Sequence, residues 1–349
     1  MSADTTTRND PVRGERAATQ NAARIDEGGF VPIHGIDHWL TFRGDDRSNP
    51  ALLVLGGPGA ALSAFAPLFT AWERHLTVVQ WDQPGGGATH AKNGEADDGA
   101  LTIERLVRDA IAVAEHVRQR LGKKRVVLLG TSGGSILALI IASRRPDLVS
   151  ACVGAGAFVD WPRQDAESYA LVLARARAAH DTTAVAELER IGPPPYPDTA
   201  TDAIKSKYAG AFTPAEAATF AALWPAIESP PADATYIARS LVRGDARALA
   251  TAAYDKLRGE LVTFDARRLG RVFRVPIFFL QGEHDAYSVT NAVRDYVAWI
   301  DAPRKLLAVV PGASHSMIFA RDALAETLLA QVLPTALETD DDVRHDVVA

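Results

Sequence analysis

Six short runs of apolar residues, rich in Val, Leu and Ile, punctuate the chain: Ala51 to Leu55, Leu76 to Trp81, Arg125 to Leu129, Val149 to Val153, Pro276 to Leu280 and Lys305 to Val310. Runs this short and this uniformly apolar suit strands covered on both faces, as in a parallel sheet. Weaker runs at Phe30 to Ile33 and His38 to Phe42 suit an opening antiparallel hairpin, which brings the expected sheet to eight strands. After the second strong run, Ile103, Leu106, Val107, Ala110, Ile111, Ala114, Val117 and Leu121 recur at three- and four-residue spacing. That period predicts an amphipathic helix, capped by Thr102 and ended by Gly122. Strand runs alternating with helical patterns point to an α/β fold with crossover helices.

Between Val153 and Pro276 the alternation stops. Alanine-rich helical spacing predicts helices over Tyr169 to Arg190, Pro214 to Trp224, Ala232 to Arg243 and Ala246 to Leu257, with Gly-Pro-Pro-Pro-Tyr-Pro at 192 to 197 as a rigid bend. The expected organisation is a tail over 1–26, a core over 27–156, a helical cap over 157–268 inserted between strands six and seven, a second core part over 269–337, and a tail over 338–349.

Composition narrows the class. With 47% hydrophobic and 23% charged residues in 349, the chain has the make-up of a folded globular protein. Its net charge of −6 and the lack of a dense basic stripe argue against nucleic acid or an anionic membrane as partner. Cys152 is the one cysteine; it can form no intramolecular disulfide, and its apolar neighbours predict a buried thiol. The polar N-terminus lacks the apolar stretch of a signal peptide and no long apolar run follows, so a cytoplasmic location is expected. Oligomeric state is left open.

One turn carries the chemistry. Strand Val126 to Leu129 runs into Gly130-Thr131-Ser132-Gly133-Gly134, and Ser135 to Leu139 opens a helix. This is G-x-S-x-G in its strand-turn-helix setting, where small residues flank a serine lifted above the sheet. Such a nucleophile needs a base, and the base an orienting acid, in the chain order Ser, Asp, His. Asp285 follows the seventh strand in Gln281-Gly282-Glu283-His284-Asp285, and His315 follows the eighth in Gly312-Ala313-Ser314-His315. Both loops leave the carboxyl ends of their strands, where an open α/β sheet holds its site.

Each role has a rival. Asp160, after strand six, competes as the acid; His284 reads better as a loop histidine than as the base. His34 and His38 mimic a metal pair but fall on a hairpin, so no metal is expected, and no cofactor. Asp82 reads as the residue that holds the turn after strand four. For the oxyanion, Leu55-Gly56-Gly57-Pro58-Gly59 offers the Gly57 N–H beside that of Gly133, with Gly56 letting the backbone approach the substrate.

Together, Gly-Gly-Pro-Gly at 56–59, Trp-Asp-Gln-Pro-Gly-Gly-Gly at 81–87, Gly-Thr-Ser-Gly-Gly-Ser at 130–135, the Gly-x-x-Asp at 282–285 and the histidine at 315 resemble the α/β-hydrolase superfamily, within it the proline iminopeptidase-like branch. The resemblance covers about residues 28 to 156 and 269 to 335. It implies an α/β-hydrolase fold, Ser132, Asp285 and His315 as the triad, and Gly57 and Gly133 as oxyanion donors. Leu55 stands where the family has histidine, Pro84 where it has arginine, and Gly133 where a bulky residue is common. The Trp-Glu pair that holds a free amino terminus in true iminopeptidases has only Trp224 and Glu228 as loose counterparts. A serine hydrolase acting on a small ester or amide, or on a short peptide, is therefore the leading expectation. A carbon–carbon bond hydrolase with the same triad and a non-catalytic ligand-binding relative are the alternatives.

Overall fold

The computed structural model describes residues 24–94, 100–211 and 245–338. The predicted helices at 214–224 and 232–243 lie outside the described residues, as do Trp224 and Glu228. Eight strands form one sheet: β1 Ile25–Ile33, β2 Ile36–Gly44, β3 Ala51–Leu55, β4 Thr77–Asp82, β5 Val126–Thr131, β6 Val149–Ala155, β7 Ile277–Gly282 and β8 Lys305–Val310. Their order is β1-β2-β4-β3-β5-β6-β7-β8. β1 and β2 join the sheet antiparallel, and β3 to β8 run parallel. This is the eight-stranded, mostly parallel sheet flanked by helices that the apolar runs predict.

The strands are apolar throughout because both faces are covered. In β3, Leu53 and Leu55 enter one core with helix α2 (Ile103–Leu121) and helix α3 (Gly134–Arg144), while Leu52 and Val54 enter the other. In β5, Val126 and Leu128 face the first core, Val127 and Leu129 the second. Cys152 is fully buried on β6, and burial pushes its thiol up to about 12, so it stays protonated and inert.

Local signals place the ends. The Thr102 hydroxyl accepts from Arg105 N–H at 3.0 Å, and Gly122 takes the left-handed conformation that closes α2. The β1–β2 hairpin turns on His34 and Gly35 alone, both at positive φ as a two-residue turn demands. The sheet edge extends further than its apolar runs suggest, since β1 begins at Ile25, within the segment read as a tail. Between β4 and α2 lies the short helix α1, Gly87–Asn93, which the apolar pattern does not foreshadow.

Between β6 and β7, the described residues form α4 (Trp161–Ala178), α5 (Thr182–Ile191), α6 (Thr199–Ala211) and α7 (Asp245–Leu261). The single helix expected over 169–190 is thus two helices. His180 adopts positive φ, and Asp181 starts α5 by accepting the Ala184 N–H at 2.9 Å, a capping preference that outweighs the helical tendency of the alanines around it. Helix α6 lies beyond the predicted helices because most of its apolar positions are alanines, with only Ile204 and Tyr208 larger. After β7 and β8 come α8 (Thr290–Trp299) and α9 (Arg321–Thr327).

One of the tightest contacts in the fold is between β3 and the turn after β5. Leu55 pairs with Gly130, and a Cβ on Gly134 would sit 2.1 Å from the Leu55 carbonyl oxygen. Gly134→Ala should therefore lower stability by about 2 to 4 kcal/mol, since backbone has to move. A urea unfolding midpoint within error of the wild type would contradict this contact.

Candidate active site

Ser132 stands at the turn between β5 and α3. Its φ of 52° lies in a region few side chains adopt, and it is held there by hydrogen bonds, not by choice of residue. The Ser132 N–H donates to Ala155 O at 2.9 Å, tying the turn to the end of β6. The Ser135 hydroxyl donates to Ser132 O at 2.6 Å and accepts the Phe158 N–H at 3.0 Å, a second tie to the same exit.

Three side chains then meet in line. Ser132 Oγ lies 2.8 Å from His315 Nε2, and His315 Nδ1 lies 3.0 Å from Asp285 Oδ2. A carboxylate only accepts, so the imidazole proton belongs on Nδ1, which leaves Nε2 to accept from the serine hydroxyl. Asp285 is fixed in turn: its Oδ1 accepts the N–H groups of Tyr287 and Ser288 at 2.8 and 2.9 Å, and its Oδ2 accepts the Ser288 hydroxyl at 2.7 Å. Burial disfavours its charge, but the His315 imidazole and these donors outweigh burial and hold the carboxyl below its usual range.

Strand order makes the line possible and one glycine keeps it open. β7 and β8 are neighbours, so the Asp285 and His315 loops leave the sheet side by side. To reach Ser132, the His315 loop passes over the end of β6. A Cβ on Gly156 there would lie 2.6 Å from His315 O and 3.3 Å from its Nδ1. Neither Gly156 nor Ser288 is among the candidate site residues that the sequence offers. The Ala-Gly pair after strand six and a serine three residues past the acid are the signals that could have marked them.

The residues weighed as rivals lie elsewhere. Asp160 caps α4, accepting the Arg163 N–H at 3.2 Å, and pairs with Arg267 at 3.4 Å. His284 is exposed beside Glu283 at 3.8 Å. His34 bonds Asp109 at 2.7 Å, whereas His38 is buried and accepts from Trp81 Nε1 at 3.0 Å; burial lowers it to about 4. No cluster able to hold a metal occurs among the described residues.

The loop after β3 faces the serine turn. A Cβ on Gly133 would lie 3.2 Å from Pro58 Cδ and 3.4 Å from Gly57 Cα, so the two loops nearly touch. Among the described residues neither the Gly57 nor the Gly133 N–H donates to a backbone carbonyl. The segment after β4 sets that loop: Gln83 Nε2 donates to the carbonyl of the buried Gly56 at 2.8 Å. Asp82, as expected, holds its turn through the Ala88 N–H at 3.0 Å, and it also accepts the Ser63 N–H and hydroxyl at 3.0 and 2.8 Å. Burial pushes the Asp82 carboxyl up to about 6.

Above Ser132 and His315 opens a cavity of about 340 Å³ walled largely by residues of α4, α6 and α7. Phe158 stacks on Trp161 with centroids 4.1 Å apart, and Tyr254 and Tyr287 complete an aromatic lining. Asp165, Asp202 and Lys205 supply its polar part.

The fold and this arrangement define a hydrolase of the α/β class. Residues 50–322 match the family model for the alpha/beta hydrolase fold, and the chain belongs to that family, in its proline iminopeptidase-like branch. It is 28% identical over 296 residues to the probable aminopeptidase YbaC of Bacillus subtilis, spanning 82% of this chain and 89% of that one. Among solved structures it is similar to a proline iminopeptidase-related protein of Thermus thermophilus, at TM-score 0.58 and 23% identity over 89% of this chain and 99% of that one. It is also similar to the proline iminopeptidase of Mycobacterium smegmatis, at TM-score 0.59 and 21% identity over 90% and 100% of the two chains.

Two carboxylates can be told apart by substitution. Asp285→Asn should lower kcat by about 10⁴, because the amide favours the wrong imidazole tautomer. Asp160→Ala should leave kcat near the wild type and cost about 1 kcal/mol of stability through the lost cap. Kinetics on one ester together with urea melts of both variants check the pair, and the reverse pattern would reassign the acid.

The lowered Asp285 carboxyl also has a pH signature. Its contribution to stability is present above the ordinary carboxylate pKa and is lost as pH falls through its lowered value. The stability gap between the wild type and Asp285→Asn should thus be widest near neutrality and close below about pH 4. A gap that widened on acidification would reverse the sign and refute the assignment.

Proposed function

We propose that this hydrolase cleaves an ester or amide bond through an acyl-enzyme formed on Ser132. The observation that carries the reading is the Ser132–His315–Asp285 line, with contacts of 2.8 and 3.0 Å on a serine held at positive φ. His315 Nε2 takes the hydroxyl proton as Ser132 Oγ bonds to the substrate carbonyl carbon. The carbonyl oxygen, now an anion, is received by the N–H groups of Gly57 and Gly133, each such donor being worth about 3 to 4 kcal/mol in a comparable site. The imidazolium returns the proton to the leaving alcohol or amine, and the acyl group stays on Ser132. Water enters, loses a proton to His315, and releases the acid.

Substrates are small esters or amides or short peptides, as the 340 Å³ cavity and the names of the relatives support. Core and cap divide at about residues 156 and 268 in this reading, with the catalytic groups on the core and most of the cavity wall on the cap.

A fluorophosphonate probe should label the wild type on Ser132 and leave Ser132→Ala unlabelled, while kcat of that variant on any cleaved ester falls by about 10⁴ or more. A panel of p-nitrophenyl esters of rising chain length beside alanyl and prolyl p-nitroanilides sets bond type and acyl size. Label on a residue other than Ser132, or a Ser132→Ala variant that turns over normally, would end the proposal.

A further inference from the structure

The cavity over Ser132 contains its own cation. Lys205, on α6, is almost wholly buried, and its ammonium donates to Asp165 Oδ1. It also lies 3.5 Å from Asp202 Oδ1. The other Asp202 oxygen accepts the Tyr254 hydroxyl at 3.1 Å. All four side chains line the same cavity as Ser132 and His315. Arg258 stands behind the cluster, its guanidinium donating to Tyr196 O, and its charge acts on Asp165. Among the described residues that line the cavity, then, two carboxylates face Lys205, with Arg258 acting on Asp165 from behind.

That balance bears on which acyl group fits. An enzyme that selects a free amino terminus has to offer the substrate ammonium an uncompensated carboxylate, because a cation stripped of water without a partner is strongly disfavoured. Here both carboxylates that face the cavity are engaged, and the group between them is an ammonium. A second ammonium entering the cavity would meet Lys205 as a like charge. The remaining walls, Phe158, Trp161, Tyr254 and Tyr287, reward apolar and aromatic surface.

We propose that Lys205 is a specificity-determining residue: it occupies the place a substrate ammonium would take between Asp165 and Asp202, and so turns the enzyme toward uncharged, apolar acyl groups. This rests on Ser132 being the nucleophile of the proposed reaction. It also separates this chain from the aminopeptidase named among its relatives.

Two ethyl esters that share one skeleton test it: that of 3-phenylpropionic acid, and that of phenylalanine, which adds only an α-ammonium. Released acid is followed at a pH where the amine is protonated. The wild type should favour the uncharged ester in kcat/KM by about tenfold or more, and Lys205→Met should shift that ratio toward the ammonium ester by a similar factor. Lys205→Met leaves the buried Asp165 and the half-buried Asp202 without its ammonium and can fail to fold. The double variant Asp165→Asn with Lys205→Met leaves only Asp202 and should shift the ratio in the same direction. A folded variant with an unchanged ratio would overturn the proposal, as would a wild type that prefers the ammonium ester, and that second result needs no variant. Fluorophosphonate labelling of the same wild-type sample tells the two failures apart. An unlabelled enzyme strikes the serine mechanism and the Lys205 assignment together, whereas a labelled one that prefers the ammonium ester strikes Lys205 alone.

Discussion

Everything at this site depends on how closely two backbones approach at the carboxyl ends of β3 and β5. The hydrogen-bond ladder brings Leu55 against Gly130, and the chain must then reverse within a few residues to lay α3 over the sheet. That reversal presses position 134 onto the Leu55 carbonyl, leaving no room for a methyl group, and forces Ser132 to a positive φ. The strain is local, and the Ala155 carbonyl and the Ser135 hydroxyl hold it in place. Two consequences follow from one constraint. The serine hydroxyl is raised toward the His315 loop, and Gly133 is brought against Gly57, so the proposed nucleophile and oxyanion donors are set by the same turn.

The second half of the site is a problem of reach. His315 leaves β8, three strands from β5 in the sheet order, and its side chain has to arrive at Ser132 already oriented. Adjacency of β7 and β8 supplies the orientation, since Asp285 leaves beside it and is itself held by three donors from Tyr287 and Ser288. The path is supplied by Gly156, which removes the side chain that would block it. A buried carboxylate that kept its charge without these donors would be costly. With them the charge is favoured, and it fixes the imidazole in the tautomer the serine needs.

How much of this was legible follows from the range of each interaction. The eight strands, the capped α2 and the three aligned side chains are written in short patterns: apolar runs, a Thr before a periodic helix, a Gly-x-Ser-x-Gly between strand and helix. Such signals need only neighbours in sequence. Gly156 and Lys205 are different in kind. Gly156 matters because a loop more than a hundred residues away crosses it, and Lys205 because α4 brings Asp165 onto it; neither contact leaves a local mark. The break of the expected 169–190 helix at His180 is an intermediate case, where a capping aspartate was present but alanine-rich periodicity ran across it.

The helices between β6 and β7 show why family likeness carries chemistry further than substrate. Core geometry is set by backbone contacts that tolerate almost no side-chain volume, so any chain that keeps this turn keeps a raised serine, a facing N–H and a route for the histidine. Much of the cavity wall comes from helices α4, α6 and α7, which meet the core through side-chain contacts such as the Ser168 hydroxyl donating to Ala286 O and the Tyr287 hydroxyl donating to Ser206 O, outside the sheet ladder. A lysine between two aspartates changes the charge the cavity presents while leaving every hydrogen bond of the Ser132–His315–Asp285 line untouched. In the proposed reading, reaction type and substrate choice are thus held by different parts of one chain under different packing constraints. A lysine on α6 can alter the second without any demand on the first.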